Sequence, residues 1–380
     1  MRKLPKSEMK ICLVSPTEKS GYGGGFVSTR ILAKALEERG YDIHFAYSYK
    51  EIAKDSDIVL HQNIKYLIQT QKFCERKNLH LVVTVNSFIS CCTGTHVINK
   101  TKYGSSCYKC NLWKAFNCFL WNKRNRYPST KERLKALTVI PRFYNLKMRI
   151  KALNKVDKVI CISPTMRKML GINGVKEEKM EVIPQPVDSS FLEDPGVRLF
   201  DERVALFTSG TSWIKGAHLA TEAISKISEI KLVFTGSINK SDPIFRQISN
   251  SLGDRAILIG VVPAEEMKKY YYSAHVVLFP SIWFEAFGRA WAEACMCGKP
   301  VVAFKGRGGA SDYLKHEETA LLSDYDVDEY AKQIKRLFEN EALYRKISRN
   351  AREYAKKNFL ADVVARKYEK IFEEVVKNER

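Results

Sequence analysis

Short apolar runs rich in β-branched residues alternate with helix-length amphipathic segments along nearly the whole chain, and this alternation constrains the fold more than any other feature. "KICLVSP" leads through "GYGGGF" into "VSTRILAKALEERGYDIHF". There Ile31, Leu32, Ala35 and Leu36 make one helix face and Gly40 closes it, so the stretch reads strand, glycine loop, helix, strand. "DIVLHQ", "LVVTVN" and "KVICIS" continue the pattern, and "VALFTSG", "IKLVFTG", "AILIGVV", "VVLFPS" and "PVVAF" repeat it later. Such a pattern predicts parallel sheets covered by helices on both faces, an α/β fold. A chain of 380 residues exceeds what one core usually serves. The Pro- and Asp-rich connection "EVIPQPVDSSFLEDPGVRLFDER" separates the two sets of strands, which places the boundary near Pro184 to Val197. We expect one domain over 1–190, a second over 191–360, and a last helix over 361–380. That helix is free to complete either domain, and packing back on the first is the expected arrangement.

Lys and Arg number 63 against 42 Asp and Glu, a net charge of +21. A field of that size selects for nucleic acid, anionic lipid or phosphorylated small molecules as partners. No stretch approaches the roughly 20 apolar residues of a membrane span, and "MRKLPKSEMK" lacks the apolar core of a signal peptide. The expected location is the cytoplasm. Ten cysteines then read as buried thiols or metal ligands rather than a disulfide framework.

"FEAFGRAWAEACMCGKPVVAF" sets Glu285 and Glu293 into an apolar segment that Gly298 and Pro300 close. A helix over Ala286 to Cys297 would leave two side chains eight residues apart about 80° away from each other, so they form no simple ridge. If the helix begins at about Phe287, Glu285 falls in the strand-to-helix loop and Glu293 nearly two turns down the flank. The N–H groups near Phe287, Gly288 and Arg289 then point into the crevice at the carboxyl end of the sheet, where a helix N-terminus favours phosphate. Glu293 would lie about 6 to 9 Å from the helix start, near the distance from a diphosphate to a ribose. A carboxylate accepts two hydroxyl hydrogens at once, which suits a 2′,3′-diol for Glu293 and sugar hydroxyls for Glu285. Gly23, Gly24 and Gly25, opening the first helix, can form a nest for phosphate, and Lys215 sits between an apolar strand and a helix. His218 and His275 read as structural, while His61, at a strand end, stays open.

The Glu-x7-Glu segment, extended to "FPSIWFEAFGRAWAEACMCGKPVVAF…GGASDYL", resembles the donor-site signature of glycosyltransferase family 4, a retaining family on the GT-B fold. "GYGGGFVSTRILAKALEERGYDIHF", "VDKVICISPTMRKML", "EVIPQPVD" and "LFTSGTSWIKGAHLATEAI" are similar to its first helix, inter-domain region and Lys-Gly segment, so the resemblance covers most of the chain. It implies two Rossmann-like domains whose parallel sheets face each other across a cleft. It also implies a nucleotide-sugar donor, a UDP- or GDP-sugar, whose diphosphate lies against Lys215 and the glycine loop. Donor contacts would come from Gly24, Gly25, Gly210, Thr211, Lys215, Glu285, Phe287, Gly288, Arg289 and Glu293, with Glu285 and Lys215 catalytic and no metal ion needed. Three positions depart from the family: Thr211 follows Gly210 where Arg is common, Asn86 stands for a His, and Gln185-Pro186 for an Asn-Gly.

Between about 90 and 158 lies a cysteine-rich and basic insert, and some family members look similar there. Cys92, Cys107, Cys110 and Cys118 offer four thiols for a structural zinc or iron–sulfur cluster, free or paired thiols being the alternative. From Asn122 to Lys158 there are twelve Lys or Arg against Glu132 and Asp157. Phe143, Leu146, Ile150 and Leu153 fall on one helical face among these cations, which suits either a core-facing helix or peripheral contact with an anionic membrane surface. Far from the donor signature in sequence, the insert is expected to be structural at most. The leading function is sugar transfer from a nucleotide diphosphate to a glycan or lipid-linked hydroxyl acceptor, at the inner face of the cell membrane if membrane contact occurs. A nucleotide-sugar epimerase or phosphorylase of the same fold is the enzymatic alternative. A basic nucleic-acid-binding protein, the third reading, would leave Glu285 and Glu293 without a role.

Overall fold

The computed structural model describes residues 9–16, 24–88, 108–120 and 138–377, with side chains at 117–120 excepted. Two six-stranded parallel sheets form the two domains. In the first, β1 (Lys10–Val14), β2 (Asp42–Ala46), β3 (Ile58–Gln62), β4 (His80–Val85), β5 (Lys158–Cys161) and β6 (Met180–Val182) lie in the order β2-β1-β3-β4-β5-β6. In the second, β7 (Val204–Phe207), β8 (Lys231–Thr235), β9 (Ala256–Gly260), β10 (Val276–Phe279), β11 (Val301–Phe304) and β12 (Leu321–Ser323) lie in the order β12-β11-β10-β7-β8-β9. Both orders reverse beside the domain's first strand, between β1 and β3 and between β7 and β10, and the crevice at such a switch point is where open α/β sheets bind ligands. The sequence pattern missed β6 and β12, three-residue edge strands too short to show a period.

Each sheet is apolar on both faces. On one face of the first sheet, Leu13, Leu60 and Val82 pack with Leu32 and Leu36 of α1 (Gly24–Glu37) and with Tyr368 and Phe372 of the C-terminal helix Ala361–Lys377. The last helix of the chain thus closes the first domain, fixed at its rim by Arg39, whose guanidinium binds Glu369 and Asp362. To reach it the chain crosses over beside the linker, where Val187 and Leu360 pair in parallel.

The other face carries α2 (Leu67–Lys77), the helix Val139–Leu153 and the helix Pro164–Ile172. Val59, Val83, Ile150, Leu153 and Met169 form that core. Phe284 of the second domain belongs to the same cluster, 4% exposed. Burying a ring of this size contributes about 2 kcal/mol, applied here to holding the domains together beside Glu285.

Within Val139–Leu153 the apolar face of the sequence reading is core: Leu146, Ile150 and Leu153 are buried, and Phe143 packs on the small cluster of Ala115 and Val139. That face is therefore closed to a membrane, because the sheet beneath it needed covering.

Candidate functional site

Glu285 lies outside any helix. Its backbone is extended and pairs with Gly308, donating its N–H to Arg307 O at 3.1 Å and accepting from Gly309 N–H at 2.8 Å. The helix that follows is Arg289–Met296 with Gly288 at its N-cap, so it starts later than either sequence reading, Ala286 or Phe287. Two constraints delay it. The pairing with Gly308 keeps Glu285 extended, and Gly288 adopts φ +89°, which breaks the turn before Arg289.

A Cβ at Gly308, which has φ +77°, would sit 2.2 Å from Glu285 O. Gly216, at φ +85°, would place one 1.9 Å from Pro280 O. Only glycine permits these two backbone approaches, and together they bring the Lys215 loop and the Gly308 loop onto the segment carrying Glu285.

Lys215 Nζ lies 2.5 Å from Glu285 Oε1, which also accepts from Ser281 Oγ at 2.9 Å. Glu285 is buried, while the Lys215 side chain keeps a third of its surface exposed. Glu293 is buried on the helix flank. Arg289 Nη2 donates to its Oε1 at 2.6 Å and Tyr271 OH to its Oε2 at 2.9 Å. Burial, followed by the charge of Glu293, pushes the Tyr271 phenol well above its ordinary value, which keeps it a donor. Both oxygens of Glu293, and Oε2 of Glu285, retain lone-pair capacity for a further hydroxyl.

Arg289 also spans the domains. Its Nη1 donates to Ser28 Oγ on α1 at 2.8 Å and to Pro186 O of the linker at 3.4 Å. A Cβ at Gly24 would lie 3.1 Å from Arg289 Cδ, and one at Gly25 would lie 3.1 Å from Asn86 Nδ2. The start of α1, the linker and the helix of Glu293 therefore meet in one place.

The remaining expected donor residues divide. Gly210 N–H donates to Thr235 O at 2.8 Å, and buried Thr211 accepts the Asn239 N–H on its hydroxyl at 3.1 Å, so this loop clasps its neighbour. The Phe287 ring is core, packed on Trp291, Tyr313 and Phe359, and its carbonyl accepts from Trp291 Nε1 at 2.7 Å. The sequence reading missed Tyr271, Ser28 and Ser281. Tyr271 stands in the run "KKYYYSAH", where nothing distinguishes it, and Ser28 is 261 residues from the arginine it meets.

Asp312 was missed as well. Its carboxylate crosses the domains to accept Thr165 N–H and Oγ1 at 2.9 and 2.8 Å, at the start of helix Pro164–Ile172. Tyr313 OH, beside it, donates to Ile162 O at 3.1 Å.

His275 is held between the rings of Phe338 and Tyr344 with Nε2 3.1 Å from Leu337 O, and His218 stacks on Trp213, both structural placements. His61 is wholly buried at the end of β3, and burial holds its pKa down to about 4, so it is neutral.

Cys92 and Cys107 lie outside the described residues, as does the side chain of Cys118. Cys110 is half-buried, its N–H donating to Asn173 Oδ1 at 3.2 Å. Among the described residues no group of three or more His, Cys, Asp or Glu could hold a metal ion.

The insert is not remote from Glu285. Tyr108 presents its ring edge-on to Phe284 at 6.0 Å between centroids, and Asn173 Nδ2 holds Tyr108 O at 2.8 Å. Sequence distance concealed this because the contact crosses from one domain to the other.

Residues 194–354 match the family model of glycosyl transferases group 1. That span contains Lys215, Glu285, Arg289 and Glu293. Over 189 residues the chain is 28% identical to a putative glycosyltransferase, YtcC, of Bacillus subtilis, covering 46% of each chain. It is 31% identical over 179 residues to the uncharacterized glycosyltransferase MJ1607 of Methanocaldococcus jannaschii, covering 42% of this chain and 45% of that one. The chain thus spans about half the length of these relatives. Its structure resembles that of Anabaena Alr3699/HepE in complex with UDP and glucose, with a TM-score of 0.71 at 18% identity, covering 96% of this chain and 99% of that one. The fold is GT-B.

Proposed function

We propose that the protein transfers a sugar from a nucleotide-diphosphate sugar to a hydroxyl acceptor with retention of anomeric configuration. The observation that supports this reading is the pairing of Lys215 with Glu285 and of Arg289 with Glu293, all four on residues within the group 1 match. HepE was solved with UDP and glucose, which supports a UDP-sugar as the first donor to try, with a GDP-sugar as the next.

In this reading Glu293, oriented by Tyr271 and Arg289, accepts the ribose hydroxyls, and Glu285 accepts hydroxyls of the transferred sugar. Lys215 supplies the positive charge opposite the diphosphate, with the first amides of helix Arg289–Met296 beside it. The bond from the anomeric carbon to the diphosphate oxygen breaks while the acceptor oxygen approaches the same face. The acceptor proton passes to the departing phosphate oxygen, and the excess negative charge is spread over Lys215 and backbone donors. Closure of the two domains excludes water and limits donor hydrolysis. The acceptor is a glycan or a lipid-linked glycan, met at the cytoplasmic side of the cell membrane.

Thermal shift of the native protein and of Glu293→Ala against a panel of nucleoside diphosphates and nucleotide sugars tests the site. Stabilisation by one nucleotide family in the native protein only is expected. No response to any of them, together with salt-sensitive binding to RNA or DNA, overturns the reading.

A further inference from the structure

We infer that the outer face formed by the helices Leu112–Leu120 and Val139–Leu153 is a docking surface for an anionic lipid bilayer. From Arg76 to Val156 the sequence carries seventeen Lys or Arg and a single acid, Glu132, so this stretch of sequence holds most of the +21. The two helices pack on each other through Ala115, Val139 and Phe116, which turns their other sides outward. Those sides are apolar where a soluble surface would be polar. Trp113 is 73% exposed, Ile140 67%, Tyr144 66% and Leu112 45%.

Ile140, Tyr144, Lys147 and Lys151 follow one another at helical spacing, so a single stripe runs from apolar to cationic. Exposed Lys109, Lys114 and Arg142 surround it, and no acid lies among the described residues of either helix. Exposed aromatic and aliphatic side chains ringed by cations match the bilayer boundary: the apolar groups enter the acyl edge while the cations meet anionic headgroups. A nucleic-acid groove would instead place the aromatics where bases stack, and it gives no role to Ile140 or Leu112.

The surface is continuous with the site. Tyr108, four residues before Leu112, touches both Phe284 and Lys168, and Phe284 precedes Glu285. A bilayer seated on this face therefore lies next to the loop that carries Glu285. The inference stands on the surface itself and holds whichever donor the cleft takes.

The test is co-sedimentation of the full chain with vesicles of phosphatidylcholine alone, or with a third of phosphatidylglycerol, at low and high salt. Binding to the anionic vesicles only, weakened by salt, is expected. Lys147→Glu with Lys151→Glu should weaken it by at least about tenfold. Trp113→Ala with Tyr144→Ala should abolish it, both pairs leaving the melting temperature and the nucleotide-induced thermal shift of the native protein. The inference fails if anionic vesicles bind no better than neutral ones, if the aromatic pair binds like the native chain, or if single-stranded RNA competes the protein off the vesicles. The nucleotide response, measured on the same samples, reports on the cleft independently.

Discussion

Lys215 Nζ and Glu285 Oε1 stand 2.5 Å apart across 70 residues of sequence, with the carboxylate buried and the lysine side chain partly exposed. Glu285→Gln preserves shape but removes the charge opposite Lys215, and turnover should fall by about 10²- to 10³-fold with the fold intact. Lys215→Ala leaves a buried carboxylate with Ser281 as its side-chain partner; the partial exposure of the lysine limits the cost to about 1 to 2 kcal/mol, read by urea denaturation. Unchanged turnover in both variants would remove the pair from the mechanism.

Arg289 ties Glu293 to Ser28 and the linker. Arg289→Ala should raise the donor KM by about tenfold or more, since Glu293 loses one of its two orienting donors. Arg289→Lys can restore one contact but not the fork, so partial recovery is expected. A purely structural role would lower the melting temperature and leave KM where it was.

Two glycines separate backbone strain from crowding. Gly308→Ala meets Glu285 O at 2.2 Å and must displace the loop, so we expect a loss of about 3 kcal/mol or more together with activity. Gly40 has φ +92° but nothing within 4 Å of a Cβ, so Gly40→Ala should cost about 1 to 2 kcal/mol and spare turnover. Equal losses in chemical denaturation would contradict the crowding argument.

His61 makes stability depend on acid. Its folded pKa of about 4 lies below the ordinary value near 6.5, so the unfolded chain takes up the proton first. Stability is full above about pH 6.5 and declines as pH falls toward 4, by about 3 kcal/mol in all. Denaturation of His61→Leu between pH 7 and 4 should show that decline removed.

Alternation of β-branched runs with amphipathic helices made the two parallel sheets legible, because burial on both faces of a strand leaves a continuous apolar run. The cores that resulted are those runs: Ile11 and Leu13 on one strand, Val301 and Val302 on another, are fully buried. Lys215, Glu285 and Glu293 drew attention in the sequence because charges between apolar runs stand out. The start of the helix after Glu285 was not, since its delay to Arg289 depends on pairing with Gly308 from a later loop.

By itself the sequence determined the fold class and the division of strands between two sheets, both of which follow from local periodicity, and it singled out Lys215, Glu285 and Glu293 as charges in apolar surroundings. Tertiary structure alone decided which partners those charges have. Tyr271 and Arg289 hold Glu293, Ser28 meets Arg289, Asp312 meets Thr165, and Tyr108 reaches Phe284. It also decided that one apolar face of the helix Val139–Leu153 is core while Ile140 and Tyr144 remain outside. The physical reason is that such contacts join segments far apart in the chain. Their geometry is set by how sheets stack and loops close, and neither leaves a period in the sequence.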